Sequence, residues 1–294
     1  MTCAAGAAGA EGAAGAAGAD GHGMPCAPRV PAVGLQTIIV ERAQGVVTVT
    51  MNRPERKNAA NATMWQELLD AFVAFRRSSS DRVLVLTGAG GAFCSGADIT
   101  DPTRLNGNPE DHQLRHMQFL AEVALTLHQL PKPTVAKIGG VAAGAGLGLG
   151  LGCDLTVAGE SARLSTIFSR RGLSVDCGMS FLLPRLVGMP KAKELAFLAD
   201  MVSAAEAAAM GLVNRVVPDD QLDAFVDDWA RRLAAGPPLA LSMTKRLLDM
   251  GANTSMAEAL EAEGWVQSVN FGSEDTAEAL TAFNAKREPE FRGR

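Results

Sequence analysis

Twice in this chain a short apolar run passes straight into a stretch dominated by glycine and alanine. Arg82–Thr87 (RVLVLT) leads into TGAGGAFCSGAD at Thr87–Asp98, and Thr134–Ile138 (TVAKI) leads into GGVAAGAGLG at Gly139–Gly148. A strand that is apolar at nearly every position, rather than at alternate ones, is buried on both faces. The first loop is too rich in glycine for either regular structure, whereas a helix beginning near Gly144 in the second would aim its N-terminal dipole into the crevice at the strand ends. Leu155–Ala158 supplies a third such strand. These pairs restrict the chain to a layered α/β sheet whose strands end in loops of bare backbone.

The surrounding elements fit such a body. Gln36–Met51 (QTIIVERAQGVVTVTM) reads as two β-branched runs about Ala43-Gln44-Gly45, a hairpin. Asn61 is placed to cap a helix to about Arg77, with Met64, Leu68, Phe72 and Phe75 on one face. A second helix is expected from Asp111 to Leu130, after a polar loop over 100–111. Beyond Gly178 the pattern turns helical: Met179–Val187, Lys191–Leu198, Ser203–Met210, then a short strand at Arg215–Val217. Asp220–Ala235 carries Leu222, Phe225, Val226, Trp229 and Leu233 on one stripe, and two or three more helices run to about Arg287.

Residues 1–33 are a different material, with 12 Ala, 7 Gly and only Glu11, Asp20 and Arg29 charged. Each interior glycine costs a helix ~1 kcal/mol relative to alanine, so this is expected to be a disordered low-complexity tail, with Met24 a candidate start. It has neither the apolar centre of a signal peptide nor the Arg/Ser-rich pattern of a transit peptide. The formal charge of -5 and the lack of a basic stripe exclude the usual nucleic-acid binder. No apolar run reaches the ~18 residues of a bilayer span. Cys3, Cys26, Cys94, Cys153 and Cys177 are odd in number and contain no C-x-x-C spacing, which argues against a disulfide framework or a zinc site. The expectation is a soluble cytoplasmic protein with neither nucleic acid nor membrane among its partners.

The common catalytic templates are absent: no dinucleotide or nucleotide-phosphate glycine loop, no G-x-S-x-G elbow, no H-E-x-x-H helix. His112 and His116 read as solvated helix surface, and no metal is expected. The two glycine loops remain. Bare backbone lets N–H groups approach a ligand with no Cβ in the way, and two donors from separate loops are what an oxyanion hole needs. The same residues would equally let helix pack closely on sheet.

Several segments, in this order, carry a resemblance: NRPERKNA (Asn52–Ala59), VLTGAGGAFCSGADI (Val85–Ile99), PKPTVAKIGGVAAGAG (Pro131–Gly146), CDLTVA (Cys153–Ala158), DCGMSFLLPRLVG (Asp176–Gly188) and AAEAAAMGLVNRVV (Ala204–Val217). From about Gln36 onward the sequence resembles the crotonase, or enoyl-CoA hydratase/isomerase, superfamily. The resemblance implies a spiral of ββα units forming an acyl-CoA-binding core over 34–217, and a helical trimerisation region over 218–294 that gives a homotrimer or a dimer of trimers. It implies an acyl-CoA substrate, with coenzyme A present only as part of that substrate and no separate cofactor. The thioester enolate would be held by the backbone N–H groups of Ala97 and Ala145, with Gly144 alongside. The CoA moiety would lie along Arg56, Lys57 and Ala59, with Ser95, Gly96, Asp98 and Ile99 around the adenine and pantetheine. Taken alone, Arg56 and Lys57 are an ordinary solvated loop, and Cys94 and Cys153 read as small packing residues.

The acids decide the reaction. Family hydratases use two glutamates, and here those positions are Gly148 and Phe168, neither of which can move a proton. A third position, Asp176, matches the aspartate of dienoyl-CoA and epoxyphenylacetyl-CoA isomerases. The expectation is therefore enoyl-CoA isomerisation with Asp176 as acid and base. The alternatives are an atypical hydratase, with Glu160 and Glu194 the other acids nearby in sequence, and a non-catalytic acyl-CoA-binding subunit. Asp176 also stands where it would N-cap the helix beginning near Gly178.

Overall fold

A computed structural model of the chain describes residues 34–101 and 112–294. The strands are β1 (Ile38–Ala43), β2 (Val46–Met51), β3 (Val83–Gly88), β4 (Thr134–Ile138), β5 (Val141–Ala143), β6 (Leu155–Gly159), β7 (Arg163–Ser165), β8 (Val202–Ser203) and β9 (Arg215–Val217). The helices are α1 (Ala62–Arg77), α2 (Gln113–His128), α3 (Ala145–Leu151), α4 (Met179–Val187), α5 (Met189–Leu198), α6 (Ala204–Ala209), α7 (Leu222–Ala235), α8 (Pro238–Gly251), α9 (Met256–Phe271) and α10 (Glu274–Ala285).

The main sheet runs β1-β2-β3-β4-β6-β9 and is parallel except for β1. The β1–β2 hairpin closes through Gln44 (φ 51) and Gly45 (φ 79), the pair of positive φ values that a two-residue type I′ turn needs. Strand periodicity then sends successive residues to opposite faces. Val83, Val85, Val135 and Val157 meet Leu222, Val226 and Ala230 of α7 on one side. On the other, Leu84, Leu86, Ala136 and Ile138 join the larger core, with Trp65, Leu68 and Phe72 of α1. Both faces are thus covered, which is why β3 is apolar without a break from Val83 to Leu86. Helix α1 starts where Asn61 accepts a hydrogen bond from the Met64 amide at 3.0 Å.

A second sheet, β5-β7-β8, was not foreseen; its strands have only two or three residues, too few to show a period. Between β5 and β6 lies α3, AGLGLGL, with three glycines among seven residues and every one of them buried. Three other expectations change. Helix α2 begins at Gln113, capped by His112 Nδ1, which accepts from the Leu114 amide at 3.1 Å. His116 is buried on the inner face of α2 rather than solvated, because it falls on the stripe of Leu120, Val123 and Leu127. A 3-10 turn occupies Asp219–Gln221, so α7 starts at Leu222. The expected tail over 1–33 and most of the polar loop over 100–111 lie outside the described residues.

Helices α8 and α9 bury no residue within the chain. Lys245 of α8 is tied to Asp154 at 2.9 Å. The last residues fold back on α10, where the buried Asp275 carboxylate accepts from the amides of Arg292 at 2.6 Å and Gly293 at 2.9 Å. Among the described residues, no helix is long and apolar enough to cross a membrane.

Phe72 is fully buried between α1 and the sheet. Phe72→Ala is expected to lower stability by ~3–5 kcal/mol, read as a lower midpoint in urea; a midpoint equal to that of wild type would contradict this account of the core.

Candidate active site

The two glycine loops meet edge to edge. Cys94 pairs with Ala142 in a parallel bridge, its amide donating to Val141 O at 3.0 Å and its carbonyl accepting from Ala143 N at 2.9 Å. A Cβ on Gly146 would fall 2.4 Å from Cys94 O, so only glycine permits this approach. A second bridge joins Ala60 to Ala97: the Ala60 amide donates to Gly96 O and the Asp98 amide to Ala60 O, each at 2.8 Å.

Within this backbone contact, the amides of Ala97 and Ala145 have no hydrogen-bond acceptor among the described residues. Ala145 is the first residue of α3, and such N–H groups have no partner inside a helix. The two loops are close here, since a Cβ on Gly96 would lie 3.7 Å from Ala145 N. Gly144, at φ 53, turns the chain into α3 and is itself held by donation to Ser165 O at 3.0 Å.

Arg56, Lys57 and Ala59 lie against the first loop: the Ser95 amide donates to Lys57 O at 3.0 Å, and Ser95 Oγ to Arg56 O at 3.2 Å. The Arg56 and Lys57 side chains are exposed, and neither forms an ion pair among the described residues. Ile99 is 60% exposed. The Asp98 carboxylate is taken up internally, by Arg53 at 3.0 Å and by Thr100. Burial alone would raise its pKa, but the bonds from Thr100 and Arg53 outweigh that and hold it below the usual carboxylate range. Sequence reasoning gave no role to Arg53 or to Asn58. Asn58 is fully buried at φ 57; its Oδ1 accepts from Arg53 N at 2.9 Å, and its Nδ2 donates to Ala89 O and Ala92 O, both at 2.8 Å. The available signal was an asparagine in a loop, a residue type that, after glycine, readily tolerates a left-handed backbone.

One turn along α3 from Ala145, Gly148 opens onto a cavity of about 570 Å³ between α2, α3 and α4. Its wall is largely apolar, with Met117, Leu120, Leu149 and Leu182 prominent, and among the described residues Asp176 is the one carboxylate in it. Ala97, Ala145 and Gly144 are not part of this wall. Asp176 does not cap α4 with its side chain; Gly178 stands at the N-cap and no side-chain cap bond forms. Instead Asp176 Oδ1 is buried with no hydrogen-bond partner. Burial pushes the Asp176 carboxyl above its ordinary range, only partly offset by a hydrogen bond from the Cys177 thiol.

Phe168 is buried and packs toward Gly144, outside the cavity wall. Glu160 and Glu194 are exposed and do not line the cavity, Glu194 pairing with Lys191 at 2.8 Å. Cys94 and Cys153 are buried thiols, pushed up to about 11 and about 12 by that burial, as packing residues should be. Among the described residues, no three His, Cys, Asp or Glu side chains gather as metal ligands.

The fold and sequence of this chain are similar to those of known proteins. The family model for enoyl-CoA hydratase/isomerase matches residues 41–294, and the chain belongs to that family of enzymes acting on acyl-CoA thioesters. It is 36% identical over 264 residues to the 1,2-epoxyphenylacetyl-CoA isomerase of Escherichia coli, covering 88% of this chain and 100% of that protein. It is 34% identical to the human enoyl-CoA hydratase domain-containing protein 2, mitochondrial, over 85% of this chain and 87% of the relative. The crystal structure of an enoyl-CoA hydratase from Bacillus anthracis superposes with a TM-score of 0.83 at 31% identity, covering 88% of this chain and 100% of that one. The family and fold expected from the sequence therefore hold.

A Cβ on Gly148 would lie 2.8 Å from Cys177 Cβ and 2.9 Å from Cys177 O. The place of a longer side chain at 148 is filled by the backbone that carries Asp176. Gly148→Ala is expected to cost ~1–3 kcal/mol through overpacking and to lower turnover by displacing Asp176. Unaltered kinetics together with an unaltered unfolding midpoint would contradict this.

Proposed function

We propose that the protein moves the double bond of an enoyl-CoA thioester, with Asp176 as acid and base and the Ala97 and Ala145 amides holding the enolate oxygen. The observation that carries this reading is Asp176 itself: among the described residues the single carboxylate of the cavity wall, with one buried oxygen lacking a partner. Isomerisation of a 3-enoyl thioester needs one proton carrier. The Asp176 carboxylate takes a proton from the carbon next to the thioester, and the electron pair passes into a dienolate whose charge rests on the thioester oxygen. The same carboxyl returns that proton to the far carbon, leaving the conjugated 2-enoyl thioester and an ionised Asp176. A carboxyl raised by burial suits both halves of this shuttle, and preorganised amides stabilise the charge formed between them.

Hydration is the second reading, favoured by the hydratase names among the relatives. It needs a further group to activate water, and the two family positions for it hold Gly148 and Phe168. The exposed Arg56 and Lys57 suit the CoA phosphates, with Ala59, Ser95, Gly96, Asp98 and Ile99 beside the adenine and pantetheine. No other cofactor enters this scheme.

The same reading includes assembly as a homotrimer or a dimer of trimers through α8–α10. Trp265, Phe271 and Phe283 are 71%, 76% and 80% exposed in the single chain, an apolar surface that a soluble monomer rarely displays. Trp265→Asp is expected to shift the protein toward monomer in sedimentation; an unshifted trimer would place the interface elsewhere.

The deciding assay offers a 3-enoyl-CoA and a trans-2-enoyl-CoA side by side and follows the conjugated thioester by ultraviolet absorbance. A rise from the 3-enoyl substrate is expected; a fall from the 2-enoyl substrate, with 3-hydroxyacyl-CoA formed, would establish hydration. Asp176→Asn should lower isomerisation by ~10²–10⁴-fold while CoA-ester binding persists, whereas a pure binder would be indifferent. Because the native carboxyl is raised, the folded state holds its proton more tightly than the unfolded one. Stability from this group is therefore lost as pH rises from ~3.9 through the raised native value. At neutral pH the inactive Asp176→Asn should unfold at a higher temperature than wild type.

A further inference from the structure

A second cavity of about 450 Å³ lies beside the first, between the main sheet and α8. Among the described residues, three belong to both walls: His128, the last residue of α2, and Phe181 and Leu182 in the first turns of α4. The partition is braced. The Phe181 ring meets His128 edge-on, with ring centroids 6.0 Å apart and planes at 68°. Its other contact is the Arg185 guanidinium, 3.4 Å from the ring centroid. Arg185 is fixed in turn by donating to Phe181 O at 3.0 Å and to Asn253 Oδ1 at 2.9 Å, the latter in the turn after α8. The far cavity is lined by Leu151, Leu155, Leu233 and Leu248 together with the Lys245–Asp154 ion pair, Arg185 and Asp249.

We propose that His128, Phe181 and Leu182 form a partition that sets the acyl-chain length, and that the second cavity takes the distal part of a long chain when the partition yields. This rests on the reading of the first cavity as the acyl site. Asp176 places the reacting carbons in that cavity, so a chain extending away from it meets this wall. The space beyond is leucine-rich, as an alkyl chain requires. The brace to Asn253 links the wall to the helical C-terminal region, so chain selection depends on how α8 is seated.

The experiment measures kcat/KM for 3-enoyl-CoAs from butenoyl to hexadecenoyl, in wild type and in Phe181→Ala. Phe181 is 41% exposed, so its truncation uncovers little core. Wild type should show a fall beyond medium length. The variant should raise the long-to-short ratio by ~10-fold or more, since a methylene admitted to an apolar pocket is worth about that much. His128→Ala opens the same wall from α2 and should raise the ratio in the same direction, which keeps the test intact if one variant fails to fold. Dissociation constants of saturated acyl-CoAs of the same lengths read the wall without any chemistry. Should wild type turn over no 3-enoyl-CoA, the isomerase reading fails while the binding series still tests the partition. A flat length profile in wild type, or a long-to-short ratio unchanged in both variants by turnover and by binding, overturns the proposal.

Discussion

Backbone touching backbone is the constraint on which the site depends. The Cys94–Ala142 bridge and the Gly146–Cys94 approach bring two loops together without side chains between them. That contact requires β3 and β4 to be neighbours in fixed register, as in the pairing of Leu84 with Thr134. Register in turn holds because slipping by one residue would exchange the valines facing α7 for the leucines facing α1. The free amides of Ala97 and Ala145 are therefore a product of the whole sheet rather than of their own loops. Asn58 serves the same end from a third segment, using all its side-chain bonds on the loop carbonyls and the Arg53 amide.

Two aspartates near the site live in opposite environments. Asp98 is ionised and neutralised, bonded to Arg53 and Thr100, and it stiffens the segment that carries the Ala97 amide. Asp176 stands in an apolar wall with an orphan oxygen, where its charge is costly. The first arrangement stabilises the fold; the second costs stability wherever the carboxyl is ionised.

The sequence made the main sheet legible because its signals were local. The β1–β2 hairpin was visible in β-branched runs around Gln44-Gly45, α1 in its Asn61 cap, and α7 in its apolar stripe. The β5-β7-β8 sheet was not, since strands of two or three residues pair across separations that no local window spans. His116 falls on the stripe of Leu120, Val123 and Leu127 by its spacing, but a polar residue type is ordinarily read as solvent-facing, and here the inner face of α2 buries it. The glycine loops were evident, but their purpose stayed open until the resemblance was considered. Asp176 reads equally as a cap or as an acid in the sequence, and the placement of Gly178 at the N-cap, with no side-chain cap bond, removes the first of these. The cavity wall was invisible because Leu120, Phe181 and Leu182 read as ordinary core.

Helix α3 has a consequence in time as well as in space. With three glycines in seven residues it has little tendency to form alone, each glycine costing ~1 kcal/mol against alanine, and so short a helix nucleates poorly. It exists because buried neighbours enclose it on every side. A refolding chain should thus assemble the hairpin, α1 and the parallel strands first, and complete the cradle at Ala145 only when α2, α4 and the first glycine loop have closed around it. Secondary structure would return before the capacity to hold an acyl thioester. A thioester already present would favour the last step, acting as a template for the site that binds it.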